Sequence, residues 1–489
     1  MNEALRDELI KLPNIPYWYE RTDERPSLNT EIDADVVIIG AGYTGLWTAY
    51  YLLKTSPSLR VVILEREYAG FGASGRNGGW ASAIFPISLS KVAKNSSHQS
   101  ALFLQQVMNE TVDEIGQILQ LEGIDANYSK DGFLSIARTQ AQLQRAKSSV
   151  KASKDFGLPD QWYFLDAKAT KSKINVANAL GAIYTPHCAV IHPGKLVRGL
   201  AKTVEKLGAK IYEKSAVTKI NSGQVTTLNG KVKAPIIVKA TESYSCQLDG
   251  YKRSIIPLYS LVLATEPIPV SVRNDLKLNH RLAFNDMRHL RVYAQMTADG
   301  RLIFGGRGAP YHYGSTISPE FDLVDNVHES IRSTINDFFP TLRSLKITHR
   351  WGGALGVARD WSPSVGFDPN TGIAWGGHYV GDGVAMSNLS GRILKNLILN
   401  IQEPINKLPI VNHASPLWEP EPLRWMGINF GLSATAFADK EENMTNRPST
   451  VASALEALTG ARTNDNQEYN NSCYFNARKP IFCFTKRTY

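Results

Sequence analysis

Asp35-Val36-Val37-Ile38-Ile39-Gly40-Ala41-Gly42-Tyr43-Thr44-Gly45 is the stretch whose reading decides the fold. A run of apolar, β-branched residues meets three glycines at G-x-G-x-x-G spacing, and a helical pattern follows from about Thr44 to Lys54. A second apolar run, Arg60 to Leu64, ends at Glu65, twenty residues beyond Gly45. Two apolar strands bracketing a helix make a βαβ unit with a buried parallel sheet. The first glycine permits a tight turn, the second lets the backbone approach a pyrophosphate, and the third lets helix and strand pack closely. The helix N-terminus then offers free N–H groups and partial positive charge to phosphate. Glu65 stands where a carboxylate accepts from a ribose hydroxyl. Gly40, Gly42, Tyr43, Thr44, Gly45, Glu65 and Arg66 are therefore the expected dinucleotide site.

Working outward, the 489 residues allow two or three domains by length. Leu89 to Ala126 reads as mostly helical, Tyr128 to Ala137 as strand and Gln140 to Phe156 as a Lys/Gln-rich helix. Pro193-Gly194 precede an amphipathic helix, Leu196 to Leu207, and a strand at Lys210 to Tyr212. Val217 to Val232 reads as a hairpin with an Asn229-Gly230 turn, and Ile236 to Val238 as a further buried strand. Alternating segments between Ile255 and Phe304 read as antiparallel strands; from Trp351 to Asn400 the chain is glycine-rich and then helical. This order predicts a doubly wound domain interrupted by helical and antiparallel insertions.

Gly70-Phe71-Gly72-Ala73-Ser74-Gly75-Arg76-Asn77-Gly78-Gly79 puts five glycines in ten residues just after Glu65. Such a run forms a backbone surface nearly free of side chains, suited to close approach by a large planar ligand. Ser74, Arg76 and Asn77 are its candidate donors. The run resembles that of the D-amino-acid oxidase (DAO) superfamily of flavoproteins, and most of all its gamma-glutamylputrescine oxidase branch. Short motifs in the right order extend the resemblance from Asp35 to about Glu442. It implies FAD, a separate substrate domain, and oxidation of a carbon–nitrogen bond. Arg350 to Phe367 contains no cysteine and the first histidine after the glycine run is His98, so the FAD is expected to be held non-covalently.

The implied fold is α/β: a Rossmann-like FAD-binding domain of the glutathione-reductase type, interrupted by an α+β substrate domain with an antiparallel sheet. The expected FAD-binding segments are 34–90, 185–250 and 346–400. The substrate domain takes 91–184 and 251–345, and 401–489 forms a C-terminal helical extension. The last thirty residues lack periodicity and are expected to lack order. The resemblance assigns Val217 to adenine, Ala240 and Thr241 to a second dinucleotide motif, and Gly381, Asp382, Gly383 and Val384 to a late flavin-facing motif. A helix starting near Val384 would aim its N-terminus where negative charge appears on flavin reduction.

Oxidation of an amine at a flavin removes a hydride equivalent beside nitrogen and leaves an imine for water to hydrolyse. An apolar site favours the neutral amine this requires, so no dedicated acid or base is obligatory. Candidate catalytic residues are His378, Tyr379, Tyr259 and Tyr293. Candidate substrate contacts are His289, Arg291, Gln295 and Trp351, with His289, Arg291 and Tyr293 alternating on one strand face. Amino-acid oxidases of the resembling superfamily often hold the substrate carboxylate with an arginine just after a tyrosine on this strand. Gln295 falls near that position, which favours an amine lacking an α-carboxylate, with Arg291 or Arg307 left to reach a distal acid.

Four cysteines without CxxC or His/Cys spacing predict neither a metal site nor a disulfide framework. The net charge of +9 is scattered, which argues against nucleic acid. No apolar run is long enough for a membrane span and the first thirty residues carry no signal-peptide core, so a cytoplasmic location is expected. Expected partners are a small amine and either oxygen or an electron carrier. The competing readings are an N-methyl or α-amino acid oxidase or dehydrogenase of the sarcosine or glycine oxidase kind, a flavin-binding protein without turnover, and an NAD-dependent dehydrogenase.

Overall fold

The computed structural model describes residues 9–20 and 24–459. The expectation for the tail from about residue 460 lies outside them.

Val36–Ile39 and Val61–Leu64 are strands with every residue buried, because both sheet faces are covered. Alternation along each strand divides its side chains between two cores. Val36, Ile38, Val61 and Ile63 face a helical layer. Val37, Ile39, Val62 and Leu64 face a small four-stranded sheet that contributes Val225 and Val232. The main sheet has six strands in the order Ser364–Asp368, Ile373–Gly377, Ile236–Lys239, Val36–Ile39, Val61–Leu64, Lys210–Tyr212. All neighbours run parallel except the outermost pair, Ser364–Asp368 with Ile373–Gly377. The chain leaves Val36–Ile39 toward one edge and returns on the other side, so a topological switch point lies between Val36–Ile39 and Ile236–Lys239. Ligands of such sheets bind there, beyond the carboxyl ends of the strands.

Helix α1 (Tyr43–Thr55) and helix α2 (Gly383–Ile398) pack on the helical face. Gly391 permits their close approach: a Cβ there would lie 2.8 Å from the Trp47 backbone. The helical stretch predicted from Leu89 forms two helices, Leu89–Asn95 and His98–Leu121, each N-capped by a serine hydroxyl, Ser88 and Ser97. The longer one packs into the same core as α1 and α2, although its sequence neighbourhood had been grouped with the substrate domain. The Val217–Val232 stretch folds as two successive hairpins sharing Gln224–Thr227, with Asn229-Gly230 turning the second.

The second sheet has eight strands: Ile347–Val357, Ile256–Thr265, Leu302–Gly306, Val292–Met296, Ala283–Asp286, Phe133–Ala137, Gly181–Thr185 and Tyr163–Asp166. Every pairing is antiparallel except that of Ala283–Asp286 with Phe133–Ala137. Ile347–Val357 pairs along its length with Ile256–Thr265. It therefore belongs to this sheet and not to the dinucleotide half, where the 346–400 grouping had put it. Its glycines had masked a strand. Helix α3 (Leu423–Thr445) and helix α4 (Thr450–Thr459) close the described chain. Among the described residues no helix is long and apolar enough to cross a membrane.

Candidate cofactor and active site

The switch point opens into a cavity of about 360 Å³. Gly40, Gly42, Tyr43 and Thr44 line it, with Glu65, Arg66, Gly72, Ala73, Ser74 and Asn77 from the next strand end and the glycine run. Val217, Ala240 and Thr241 line another part, and Gly381, Gly383 and Val384 a third. Five separate stretches of sequence thus meet around one space. Gly40 has φ +105°, and a Cβ on it would lie 2.6 Å from the Ala240 carbonyl. Gly45 is outside the cavity, where a Cβ would lie 2.1 Å from Gly40 O; this is the helix–strand packing role. Neither α1 nor α2 has a side-chain N-cap, and both helices begin in the cavity wall. Their first turns therefore present N–H groups and positive potential to an anion. Glu65 accepts from Ala41 N and Glu67 N at 2.9 Å each, which fixes its carboxylate at the rim.

The late loop is held in a strained form. His378, Val380 and Gly381 have φ of 68°, 56° and 105°, and for a β-branched valine that region is unfavourable. Glu242 holds the loop from across the cavity. Its carboxylate accepts from His378 N at 2.8 Å and Tyr379 N at 3.2 Å. It lines the cavity, and burial pushes its pKa up to about 7 against the pull of those N–H groups. From the other side the Arg307 guanidinium donates to Val380 O at 2.6 Å. The Tyr379 hydroxyl pairs with Thr44 Oγ1 at 3.0 Å, joining the late loop to the first glycine motif.

The glycine run is fastened from behind. Trp351 Nε1 donates to Arg76 O and Trp18 Nε1 to Asn77 O, each at 2.8 Å. Gln295 Nε2 donates to Gly78 O at 2.7 Å and Gly79 O at 2.8 Å. Four consecutive carbonyls are thereby turned away from the cavity. Arg76 is not a cavity residue: its guanidinium pairs with Asp322 at 2.9 Å and reaches the carbonyls of Phe71 and Gly352. The Ser74 hydroxyl accepts from Tyr43 N at 2.8 Å and keeps its own proton to donate. Gly75, Gly78 and Gly79 serve packing: Cβ atoms there would meet Gly70 O, the Tyr293 ring and the Gln295 amide. Asp382 N-terminates α2 without lining the cavity.

Of the four catalytic candidates, only Tyr379 lines the cavity, and its hydroxyl is engaged and its pKa raised by burial. The titratable neighbours of His378 are Asp360, His413 and Lys239, outside the cavity wall; burial lowers its pKa to about 4, so the ring is neutral. Tyr259 exchanges hydrogen bonds with Ser318 in the second core. Tyr293 lies under Gly78 with its hydroxyl 2.8 Å from Ser260 Oγ. The shared strand face of His289, Arg291 and Tyr293 does not form, because the strand begins only at Val292. His289 instead bonds Glu442 of α3 at 2.8 Å. Trp351 and Gln295 are fasteners of the glycine run. Ser215 and Leu355 line the cavity without having been singled out, and so do Glu242 and Tyr244, which belong to the Ala240-Thr241-Glu242-Ser243-Tyr244 motif but were given no role of their own. Glu242 had a signal: an acid directly after Ala240-Thr241 at the end of a returning strand.

A dinucleotide cradle at a switch point, a second helix N-terminus aimed into it and a large neighbouring sheet define a nucleotide-dependent oxidoreductase. The chain belongs to the DAO family of FAD-dependent oxidoreductases, whose model matches residues 35–397. It is 30% identical over 392 residues to probable oxidoreductase OrdL of Haemophilus influenzae, covering 78% of this chain and 86% of the relative. It is likewise 30% identical over 378 residues to gamma-glutamylputrescine oxidoreductase of Escherichia coli, covering 76% and 85%. Among solved structures, glycine oxidase from Geobacillus kaustophilus superposes with a TM-score of 0.65 at 19% identity, over 78% of this chain and 99% of that one. L-proline dehydrogenase from P. horikoshii gives 0.63 at 20% identity, over 79% and 96%. These last two likenesses speak to the fold alone.

Proposed function

We propose that the chain oxidises the C–N bond of a small amine carrying a distal acidic group, of the gamma-glutamylputrescine kind, and passes the electrons to oxygen or a carrier. The observation that carries this reading is Gln295. Its amide is consumed by the Gly78 and Gly79 carbonyls, so the strand position that would read an α-carboxylate is already committed. The E. coli relative's name supports the same substrate class.

FAD, when bound, supplies the acceptor for the hydride equivalent. In this reading Gly40, Gly42, Tyr43 and Thr44 receive the pyrophosphate, and Glu65 the ribose of the adenosine half. Arg66, stacked over Tyr244 at 4.8 Å, and Val217 border the adenine end. Gly381, Gly383 and Val384 bring the α2 N-terminus to the edge where charge develops. Arg307 sits behind that loop, and its remaining N–H groups are suited to a distal carboxylate. An alkyl ammonium has a pKa of about 10, and apolar walls favour its neutral form. His378 and Tyr379 are positioning residues here: they set the strained loop and move no proton.

Mixing the purified protein anaerobically with gamma-glutamylputrescine, putrescine, sarcosine and glycine tests this. Bleaching of the flavin band by the first, faster than by the others, is the expected result. Preferential bleaching by sarcosine or glycine would transfer the proposal to amino-acid oxidation. Bound flavin that no amine reduces would end the catalytic reading.

A further inference from the structure

Helix α3 is turned inside out. Its charged and polar side faces its own chain: Glu442 pairs with Arg145 at 2.7 Å and with His289, Asp439 accepts from the backbone of His289 and Leu290, and Asn429 exchanges hydrogen bonds with Tyr311. Its apolar side faces outward. Leu423, Met426, Phe430, Phe437 and Met444 are all exposed, Phe430 by 69% and Met444 by 84%. A surface helix ordinarily has the opposite polarity. Leu423, Phe430, Phe437 and Met444 follow each other at intervals of seven, the spacing of a seam between paired helices. Together the five exposed side chains present on the order of 600 Å² of apolar surface, at the top of what is usual for a monomer and approaching the ≈ 800 Å² each partner buries in a stable interface.

We infer that this face is a dimer interface, in which α3 pairs antiparallel with α3 of a second copy across a two-fold axis near Ser433 and Ala434. Such an interface is isologous: if one residue meets a second, the second meets the first. About this axis Phe430 falls opposite Phe437 of the other copy and Leu423 opposite Met444. Gly427, where an added Cβ would meet nothing, falls opposite Lys440 and leaves room for its stem. The antiparallel arrangement also opposes the two helix dipoles. An anionic lipid surface is the poorer occupant. Between Leu423 and Thr445 the helix carries Asp439, Glu441 and Glu442 against Arg424 and Lys440, and Arg424 is buried. Lipid-binding helices are instead rich in lysine and arginine along the polar flank.

Sedimentation velocity of the full, FAD-loaded chain at low micromolar concentration tests this, with the double variant Phe430→Glu/Phe437→Glu alongside. The expected result is a wild-type dimer and a monomeric variant with unchanged flavin absorbance. Should the variant lose its flavin, cross-linking decides, in a Cys473→Ser/Cys483→Ser background. Ser433→Cys, close to the axis, should give a disulfide-linked dimer on mild oxidation, whereas Met444→Cys, far from its own copy, should not. A dimer that survives the double variant overturns the inference, as does equal cross-linking at both positions. So does a wild-type monomer, whether deletion of residues 460–489 then produces a dimer or vesicles containing phosphatidylglycerol capture the chain.

Discussion

Glu242→Gln keeps the shape of the side chain that holds the late loop and removes its charge; its NH2 replaces one of the two oxygens that accept from His378 N and Tyr379 N, a cost that does not vary with pH. In the wild type, burial pushes the Glu242 carboxyl up to about 7, while the unfolded chain keeps the ordinary value of about 4.3. The folded state therefore binds the proton more tightly than the unfolded one. The stability this contributes is fully present below the unfolded value and is lost as pH rises through about 7. The loss is on the order of 3 kcal/mol. Glutamine has no proton to lose, so the variant should gain on the wild type by up to that amount between about pH 4.5 and about pH 7.5. Glu242→Ala is the contrast: it strands the His378 and Tyr379 N–H groups at every pH, at about 1–3 kcal/mol each. Urea unfolding followed by tryptophan fluorescence across this window measures the difference. A gap between Glu242→Gln and wild type that stays constant with pH would refute the reasoning, since the carboxyl would then titrate alike in both states.

Gly40→Ala should abolish yellow colour in the purified protein, because a Cβ lies 2.6 Å from Ala240 O at a φ of +105°; the ratio of flavin to protein absorbance reads this directly. Gln295→Glu replaces a donor shared by Gly78 O and Gly79 O with a charged acceptor. It should cost roughly 3 kcal/mol or more at neutral pH, with partial recovery in acid where the carboxyl can donate, as followed by thermal unfolding. Among the described residues no cysteine or histidine lines the cavity. Acid precipitation is therefore expected to leave the flavin in the supernatant, and a yellow pellet would disprove non-covalent attachment.

The dinucleotide half was legible because its signals are local. Val36–Ile39, the three glycines, α1 and Glu65 lie within thirty-one residues, and each constrains backbone that only a few residue types satisfy. The late motif around Gly381 was legible for the same reason. The residues assigned to substrate were not, because the direction of a side chain on a strand depends on where the strand starts. Once Val292 opens the strand, His289 belongs to the preceding loop and is captured by Glu442, one hundred and fifty-three residues away. Gln295 looked like a substituted ligand-reading residue and is a fastener, a role visible only when Gly78 and Gly79 are brought to it. Glycines misled once, at Ile347–Val357, where they accommodate Leu261, Asp322 and Glu242 against a strand without breaking it.

Trp18 lies seventeen residues before the family match begins, yet its indole holds Asn77 O. Arg25 pairs with Glu205 and Glu213, and the carbonyls of Ile10 and Leu12 receive Arg350. At the other end, Glu442 neutralises the buried Arg145 from beyond residue 397. The unit that is shared by descent is thus smaller than the unit that folds. A polypeptide cut back to residues 35–397 would keep every recognisable motif, and Trp351 and Gln295 with them, but would lose the Trp18 anchor of the glycine run and the partner of Arg145, so the portable part of this enzyme is wider than its signature.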